Sequence, residues 1–175
     1  DFSGHINPLG FPKKAAAKLA ENIAMVCQYP DKNYFALRKS IGGYTGANPE
    51  HIVVGNGSTE LISTFIKSVN AKRTLIMGPA YSEYENAVKT IGGEYTYFEL
   101  KEEENFELNV ERLLTELDGD VGLFIACKPN NPTGTAIKTT DMEKILIHCK
   151  TKGISVMTDE TYIEFSDEID KICSI

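Results

Sequence analysis

Short apolar runs alternate along most of this chain with longer segments in which apolar residues recur every three or four positions. A short apolar run between turn formers is typical of a buried strand, and the wider spacing is typical of one face of a helix. Strands alternating with helices predict an α/β fold in three layers, with a mostly parallel sheet covered by helices on both faces. The predicted strands are 51–54, 74–77, 94–100, 121–126 and 154–158, and the predicted helices between them are 58–70, 82–91, 109–117 and 139–152.

The first part of the chain lacks this rhythm. Turn formers in residues 1–11 indicate an extended arm, and residues 12–27, rich in alanine and lysine, predict a helix that Pro30 follows closely. Another helix is predicted at 34–43, closed by its two final glycines. We therefore expect two parts: an arm and helix up to residue 33, which would belong to a small domain and dimer contact, and an α/β part, residues 34–175.

Composition and charge narrow the possible functions. The 175 residues are 42% hydrophobic, which is enough to bury a core. Lysine and arginine total 18 against 25 acidic residues, and the net charge of -7 argues against a nucleic-acid partner. No run approaches the ~20 apolar residues of a membrane span, so no membrane partner is expected. Four scattered cysteines without a CxxC pair predict free thiols and a cytoplasmic location.

Polar segments follow four of the predicted strands, where ligands gather in open α/β sheets. They are GNGSTE at 55–60, GPAY at 78–81, NNPTG at 130–134 and DETY at 159–162. The first segment would open a helix, whose N-terminus either binds a phosphate or is an ordinary cap followed by an acidic turn. Because the third glycine of a dinucleotide fingerprint is missing, a nucleotide-binding domain is the weakest interpretation.

The other three segments carry side chains suited to a flat ligand. Tyr81 either stacks on such a ligand or packs in the core, and the amide of Asn131 offers donors and acceptors. Asp159 is costly to bury unless something positive meets it, the alternative being a structural helix cap. One helical turn would bring Tyr162 to the same ligand. A phosphate cradle, a ring, an amide and a carboxylate together fit pyridoxal phosphate; no metal is expected.

These motifs resemble those of the pyridoxal-phosphate enzymes of aminotransferase class I/II, fold type I, in order and in approximate spacing. The resemblance covers essentially the whole chain and implies an enzyme with two catalytic residues here, Asp159 and Tyr162. It implies cofactor contacts as follows: Gly57, Ser58 and Thr59 on the phosphate; Tyr81 stacked on the ring; Asn131 and Tyr162 on the ring hydroxyl oxygen; Asp159 on the protonated ring nitrogen; and Tyr29 on the phosphate held by the partner subunit of a homodimer.

Within that family the opening DFSGHINPLG and the segment YPDKNYFALRKSI are most similar to threonine-phosphate decarboxylases of the cobalamin pathway and to histidinol-phosphate aminotransferases. The resemblance implies a phosphorylated amino acid or amine as substrate, with contacts from His5, Asn7 and Asn131. The match of the opening segment favours threonine-phosphate decarboxylation. His5 stands where these enzymes usually carry an asparagine, so transamination of histidinol phosphate remains the alternative.

The family's Schiff-base lysine lies in a Ser-x-x-Lys segment after DETY, and this sequence reaches Ile175 without one. The resemblance therefore implies the N-terminal half of a longer enzyme, inactive by itself, whose sheet is two strands short and exposes its edges. The competing hypothesis is a binding module, or a chain with no independent role.

Overall fold

The computed structural model describes residues 6–167, which contain six α-helices and four β-strands. The helices are Lys13–Asn22 (α1), Phe35–Thr45 (α2), Ser58–Val69 (α3), Glu83–Thr90 (α4), Val110–Glu116 (α5) and Thr139–Lys152 (α6). The strands are Arg73–Gly78 (β1), Glu94–Glu99 (β2), Val121–Cys127 (β3) and Ser155–Asp159 (β4). Four short 3-10 helices lie at Ile23–Cys27, Pro49–His51, Glu102–Glu104 and Ile163–Phe165.

The four strands form one sheet in the order β2-β1-β3-β4, and each neighbouring pair is parallel. In the register of the central pair, Ile76 lies opposite Ile125, and at the end of the outer pair Cys127 lies opposite Asp159. All four strands therefore end at the same edge of the sheet, where the polar segments follow them. The predicted parallel α/β fold is confirmed.

Helices cover both faces of this sheet, because side chains along a strand point alternately to its two faces. Ile76 and Ile125 pack with Ile66 of α3 and Val88 of α4, and all four side chains are fully buried. On the opposite face α5 and α6 contribute the rest of the core, and the buried residues there include Leu75, Leu113, Leu117, Phe124 and Ile145. Each such side chain contributes roughly 1.5–3 kcal/mol by leaving water. The three-layer prediction is confirmed.

The predicted strand at 51–54 is wrong. The structure has a 3-10 helix at Pro49–His51 and an extended Ile52 (φ -101°, ψ 125°), but the segment pairs with no strand among residues 6–167. The side chain of Val53 is 71% exposed. A β-strand is defined by hydrogen bonds to a neighbouring strand, and an apolar run in the sequence does not show whether such a neighbour is present.

The sequence pattern predicted that Gly42 and Gly43 end α2, but they lie within the helix. The helix continues through Thr45 to Gly46, whose φ of 81° is the left-handed geometry that favours glycine at a helix end. Gly42 is buried inside the helix, where a Cβ would lie 2.7 Å from the carbonyl oxygen of Ala47. This position therefore requires glycine for close packing, and the sequence pattern cannot distinguish that requirement from a helix end.

The N-terminal part lies apart from the core. The predicted helix at 12–27 becomes α1 followed by the 3-10 helix Ile23–Cys27, and neither contains a buried residue. Every described residue up to Leu37 is exposed, including Leu9, whose side chain is 92% accessible. The division near residue 33 stays a prediction. Between residues 6 and 167 no helix combines the length and apolar character that crossing a membrane requires.

Candidate functional site

A cavity of about 500 Å³ opens at the edge where the strands end. This volume lies within the range of about 300–1,000 Å³ that small-molecule sites occupy. Five residues singled out from the sequence line it, namely Ser58, Tyr81, Asn131, Asp159 and Tyr162. The parallel sheet thus brings together side chains that are up to about a hundred positions apart in the chain.

Asp159, the last residue of β4, is held by three hydrogen-bond donors. Its Oδ2 accepts from the hydroxyl of Tyr84 at 2.8 Å. Its Oδ1 accepts from the backbone N–H of Thr161 at 3.0 Å and from the Thr161 hydroxyl at 2.6 Å. These bonds fold the DETY segment into a turn, and a 3-10 helix, Ile163–Phe165, follows it. The predicted single helical turn is absent, and Tyr162 reaches the cavity from this turn.

Tyr84 is a member of the site that the sequence analysis missed. It lies in the first turn of α4, its side chain is 1% exposed, and it lines the cavity. Burial raises the pKa of its phenol above the ordinary value, and the adjacent Cys127 and Asp159 raise it further. Tyr84 therefore stays protonated and remains a donor. The available signal was a second tyrosine three positions after Tyr81 in the segment YSEY.

Tyr81 and Tyr84 contact each other edge to face. Their ring centroids are 5.8 Å apart and their planes meet at 87°, a preferred geometry for aromatic pairs. The Tyr81 side chain stays 36% exposed, so part of its ring is accessible from the cavity. Its hydroxyl lies 3.5 Å from the hydroxyl of Thr59, and this long contact links the ring to the start of α3.

The N-terminus of α3 is open at the cavity. Gly57 occupies the N-cap with φ 80° and ψ 173°, a conformation that favours glycine, and no side chain caps the helix. Nothing lies within 4 Å of the position that a Cβ would take at Gly57. The loop before α3 is held by Glu60 of its first turn, whose carboxylate accepts a hydrogen bond from the backbone N–H of Asn56. The hydroxyl of Ser58 is thus not used as a cap, and the helix terminus suits an anion.

The two asparagines of NNPTG have different positions. Asn130 is buried, and its amide donates to the carbonyl oxygen of Pro79 at 3.0 Å and to the hydroxyl of Thr133 at 2.9 Å. It thereby joins the loop after β3 to the loop that carries Tyr81. Asn131 is half-buried and lines the cavity. The structural use of Asn130 was not predicted, because its partner Pro79 lies far away in the sequence.

A buried ion pair lies behind the cavity, between the ends of β3 and β4. The ammonium of Lys128 is 3.2 Å from the carboxylate of Glu160, and the Lys128 side chain is completely buried. The backbone N–H of Lys128 also donates to the carbonyl oxygen of Asp159 at 2.9 Å. No lysine is found among the described residues that line the cavity.

The remaining predicted residues lie outside the cavity wall. Gly57 and Thr59 flank Ser58 at its rim. Asn7 lies in the exposed arm, where its Oδ1 accepts from the backbone N–H of Leu9 at 2.9 Å. Tyr29 is fully exposed and lines no part of the cavity. His5 lies outside the described residues.

Two further features of the described residues bear on the chemistry. No group of three or more histidine, cysteine, aspartate or glutamate side chains there could hold a metal ion. A second cavity of about 460 Å³ lies beside β2, against Pro79, Tyr97 and Glu99. It contains a single carboxylate and none of the predicted site residues. The first cavity is therefore the candidate site.

The chain matches the family model described as aminotransferase class I and II over residues 2–172. It is 33% identical over 165 residues to threonine-phosphate decarboxylase from Salmonella typhimurium, covering 94% of this chain and 45% of the relative. It is 30% identical to histidinol-phosphate aminotransferase from Methanococcus aeolicus, covering 93% of this chain and 44% of the relative. The crystal structure of histidinol-phosphate aminotransferase from Clostridium acetobutylicum superposes with a TM-score of 0.85 at 34% identity, covering 97% of this chain and 49% of that one. The chain thus spans about half the length of these relatives.

Proposed function

The chain belongs to the aminotransferase class I and II family, and on that premise we propose that it supplies the cofactor-binding cavity of a pyridoxal-phosphate enzyme. The single observation that carries this proposal is the cavity lined by Ser58, Tyr81, Asn131, Asp159 and Tyr162. One wall offers an uncapped helix terminus, another an aromatic ring, and a third a carboxylate held by neutral donors. These groups fit the phosphate, the ring and the ring nitrogen of the cofactor.

Each residue has a defined task in this proposal. Ser58, with the open backbone at Gly57 and the neighbouring Thr59, binds the phosphate. Tyr81 stacks on the ring. Asp159 holds the proton on the ring nitrogen. Its carboxylate is oriented for this by the three hydrogen bonds that it accepts from Tyr84 and Thr161. When bound, the cofactor supplies an electron sink for a carbanion at the substrate's α-carbon.

Asn131 and Tyr162 complete the proposed cofactor contacts by binding the ring hydroxyl oxygen. Both line the cavity from the loops that follow β3 and β4. Two groups at fixed positions on different loops set the rotation of a flat ring in its plane. That rotation decides where the substrate lies, so these residues act by positioning. Tyr162 is also the proposed catalytic partner of Asp159.

The proposed reaction is decarboxylation of O-phosphothreonine, as in cobalamin synthesis. Its support is the similarity of the opening segment DFSGHINPLG to threonine-phosphate decarboxylases, and the Salmonella typhimurium relative of that name. His5 and Asn7 of the arm, with Asn131, would contact the substrate. Transamination of histidinol phosphate is the second candidate, favoured by the superposition on the Clostridium acetobutylicum enzyme.

The proposal includes an assembly and a location. The exposed Tyr29 would reach the cofactor phosphate of the partner subunit in a homodimer, and the protein would work in the cytoplasm. Size-exclusion chromatography with light scattering tests the dimer. In addition, Tyr29→Phe should weaken cofactor binding only in dimeric protein, because the contact crosses the subunit boundary.

The direct assay uses the protein at its natural length, loaded with pyridoxal phosphate. Incubation with O-phosphothreonine should release carbon dioxide. If no gas forms and histidinol phosphate is instead consumed in a 2-oxoglutarate-dependent reaction, the aminotransferase is the correct assignment. If neither substrate is consumed, both assignments fail.

The 175-residue chain by itself tests whether it contains a lysine that can carry the cofactor. We expect it to form no covalent bond to pyridoxal phosphate, because the family's lysine context is absent from it. Borohydride reduction followed by peptide mapping checks this. Stoichiometric labelling of one lysine, for example Lys128, would contradict the expectation.

A further inference from the structure

We propose that Tyr84, together with Thr161, is a positioning residue that fixes the orientation of Asp159 and of the Tyr81 ring at the same time. The inference rests on the proposed function, in which Asp159 faces the ring nitrogen and Tyr81 faces the ring plane. Tyr84 lies in the cavity wall but is only 1% exposed, so it would not itself contact the cofactor or the substrate. It would set the angle between the two groups that do.

The carboxylate of Asp159 is held from both sides. Oδ2 accepts from Tyr84 at 2.8 Å, and Oδ1 accepts from the hydroxyl and the backbone N–H of Thr161 at 2.6 and 3.0 Å. With only the Thr161 bonds the carboxylate could still pivot about Oδ1. The bond from Tyr84 stops that motion, since it holds the second oxygen from a different element, α4. Hydrogen bonds that involve a charged group are also the stronger class.

The Tyr84 ring supports Tyr81 through its edge-to-face contact at 5.8 Å. Burial fixes Tyr84 itself: its side chain is 1% exposed and packs with Ile125, Ala87 and Val88 in the core between α4 and the sheet. One rigid ring therefore contacts both groups, so a displacement of Tyr84 would move the proposed stacking surface and the proposed nitrogen partner together. This coupling distinguishes Tyr84 from a tyrosine that only fills the core.

The test measures the dissociation constant for pyridoxal phosphate in full-length protein by absorbance titration. We expect Tyr84→Phe to weaken binding about tenfold, because it removes a hydrogen bond to a charged group and keeps the ring. The effect should vanish in an Asp159→Ala background, where Tyr84→Phe should change the constant less than about twofold. A tyrosine with a merely structural role would weaken binding equally in both backgrounds.

Two controls accompany this double-mutant cycle. Tyr97→Phe removes a hydroxyl that lies 3.0 Å from the carboxylate of Glu85; Tyr97 does not line the first cavity, so this variant should leave cofactor binding unchanged. Thr161→Val removes the other hydroxyl that donates to Asp159. Thr161 is exposed, so we expect this variant to fold. It should weaken binding, and Thr161→Ser should not. If Tyr84→Phe does not fold, the Thr161 pair decides the matter.

The outcomes separate the inference from the proposed function. If the wild-type protein does not bind pyridoxal phosphate, the proposed function is wrong and the inference falls with it. If the wild type binds and Tyr84→Phe binds equally well, only the positioning role is overturned. That role is also overturned if Tyr84→Phe weakens binding by the same factor with and without Asp159.

Discussion

The ammonium group of Lys128 lies 3.2 Å from the carboxylate of Glu160, with the lysine side chain wholly enclosed by the protein. Lys128 follows β3 directly, and Glu160 follows β4 directly. The loop that carries Asn131 and the end of β4 that carries Asp159 are therefore joined by an electrostatic contact as well as by the sheet. A charge buried to this extent is tolerated because its partner is close.

Removing one member of this pair should be strongly destabilising. Lys128→Met removes the ammonium that lies 3.2 Å from Glu160 and should lower the free energy of unfolding by about 3–5 kcal/mol. Adding Glu160→Leu should restore most of that loss, because both charges of the pair are then removed. Urea denaturation of the single and double variants measures this. Lys144→Met, which breaks the exposed pair with Asp141, is the control and should cost at most about 1 kcal/mol. Equal costs for both single variants would contradict the argument.

The two asparagines of NNPTG should separate stability from cofactor binding. Asn130→Ala removes two buried hydrogen bonds and should cost about 1–3 kcal/mol of unfolding free energy. Asn131→Ala, at a half-buried position in the cavity, should change stability little and weaken binding of pyridoxal phosphate. Thermal unfolding and cofactor titration of both variants make the comparison. The opposite pattern would show that the roles are exchanged.

Ser58→Ala should weaken cofactor binding without the stability loss of a missing helix cap. The reason is that Gly57 occupies the N-cap of α3 and no side chain caps this helix. Asn109→Ala is the matched comparison, since Asn109 caps α5 by accepting from the backbone N–H of Arg112 at 3.0 Å. That variant should lose about 1 kcal/mol of stability and keep its cofactor affinity. A Ser58→Ala protein with a lowered melting temperature and normal affinity would support an ordinary cap instead.

Asp159→Asn should reduce turnover of the full-length enzyme by several orders of magnitude while the fold is retained. An amide cannot hold the proton on a ring nitrogen as a carboxylate does, and the electron sink weakens accordingly. Steady-state kinetics and circular dichroism measure the two effects. Asp141→Asn, a half-buried carboxylate on α6 that does not line the cavity, should leave turnover unchanged. Near-normal rates in the Asp159 variant would exclude its proposed role.

Stability should fall in alkaline solution, and Cys149 should account for part of the loss. Burial raises the pKa of this thiol from 9.0 to about 11. The Cys149 thiol therefore ionises at a lower pH in the unfolded chain than in the folded protein. The stability that it contributes is fully present below about pH 9 and is lost as the pH rises through about 11. Two pKa units correspond to roughly 2–3 kcal/mol. Burial also raises the pKa of Cys127, so the unfolding free energy of Cys149→Ala should still fall with rising pH, but less steeply than in wild type.

Urea denaturation at pH 7, 9 and 10.5 provides the measurement for Cys149. Cys27→Ala, at an exposed position, is the control for removing a cysteine and should keep the wild-type slope. A Cys149→Ala protein that loses stability with pH as steeply as wild type would show that this thiol does not contribute.

Local patterns predicted the helices and the paired strands, because amphipathic spacing and apolar runs are properties of neighbouring residues. Local patterns gave wrong or missing predictions where a structural outcome depends on a partner that is distant in the sequence. Residues 51–54 have the composition of a strand but pair with none in the described part of the chain. Tyr84 and Asp159 are 75 positions apart, and the pairing of Asn130 with Pro79 spans 51. Nothing in either local segment indicates those contacts.

The order of the strands has a consequence for how the protein is made. β1 pairs with both β2 and β3, so the centre of the sheet is complete before β4 leaves the ribosome. At about 5–20 residues per second, the stretch from Ser58 to Tyr162 takes on the order of 5–20 s to synthesise. During that interval the nascent chain already presents the helix terminus and the aromatic ring, but Asp159 has yet to arrive. Under the proposed function, the cofactor site is therefore complete only once the fourth strand has docked and brought Asp159 to the cavity.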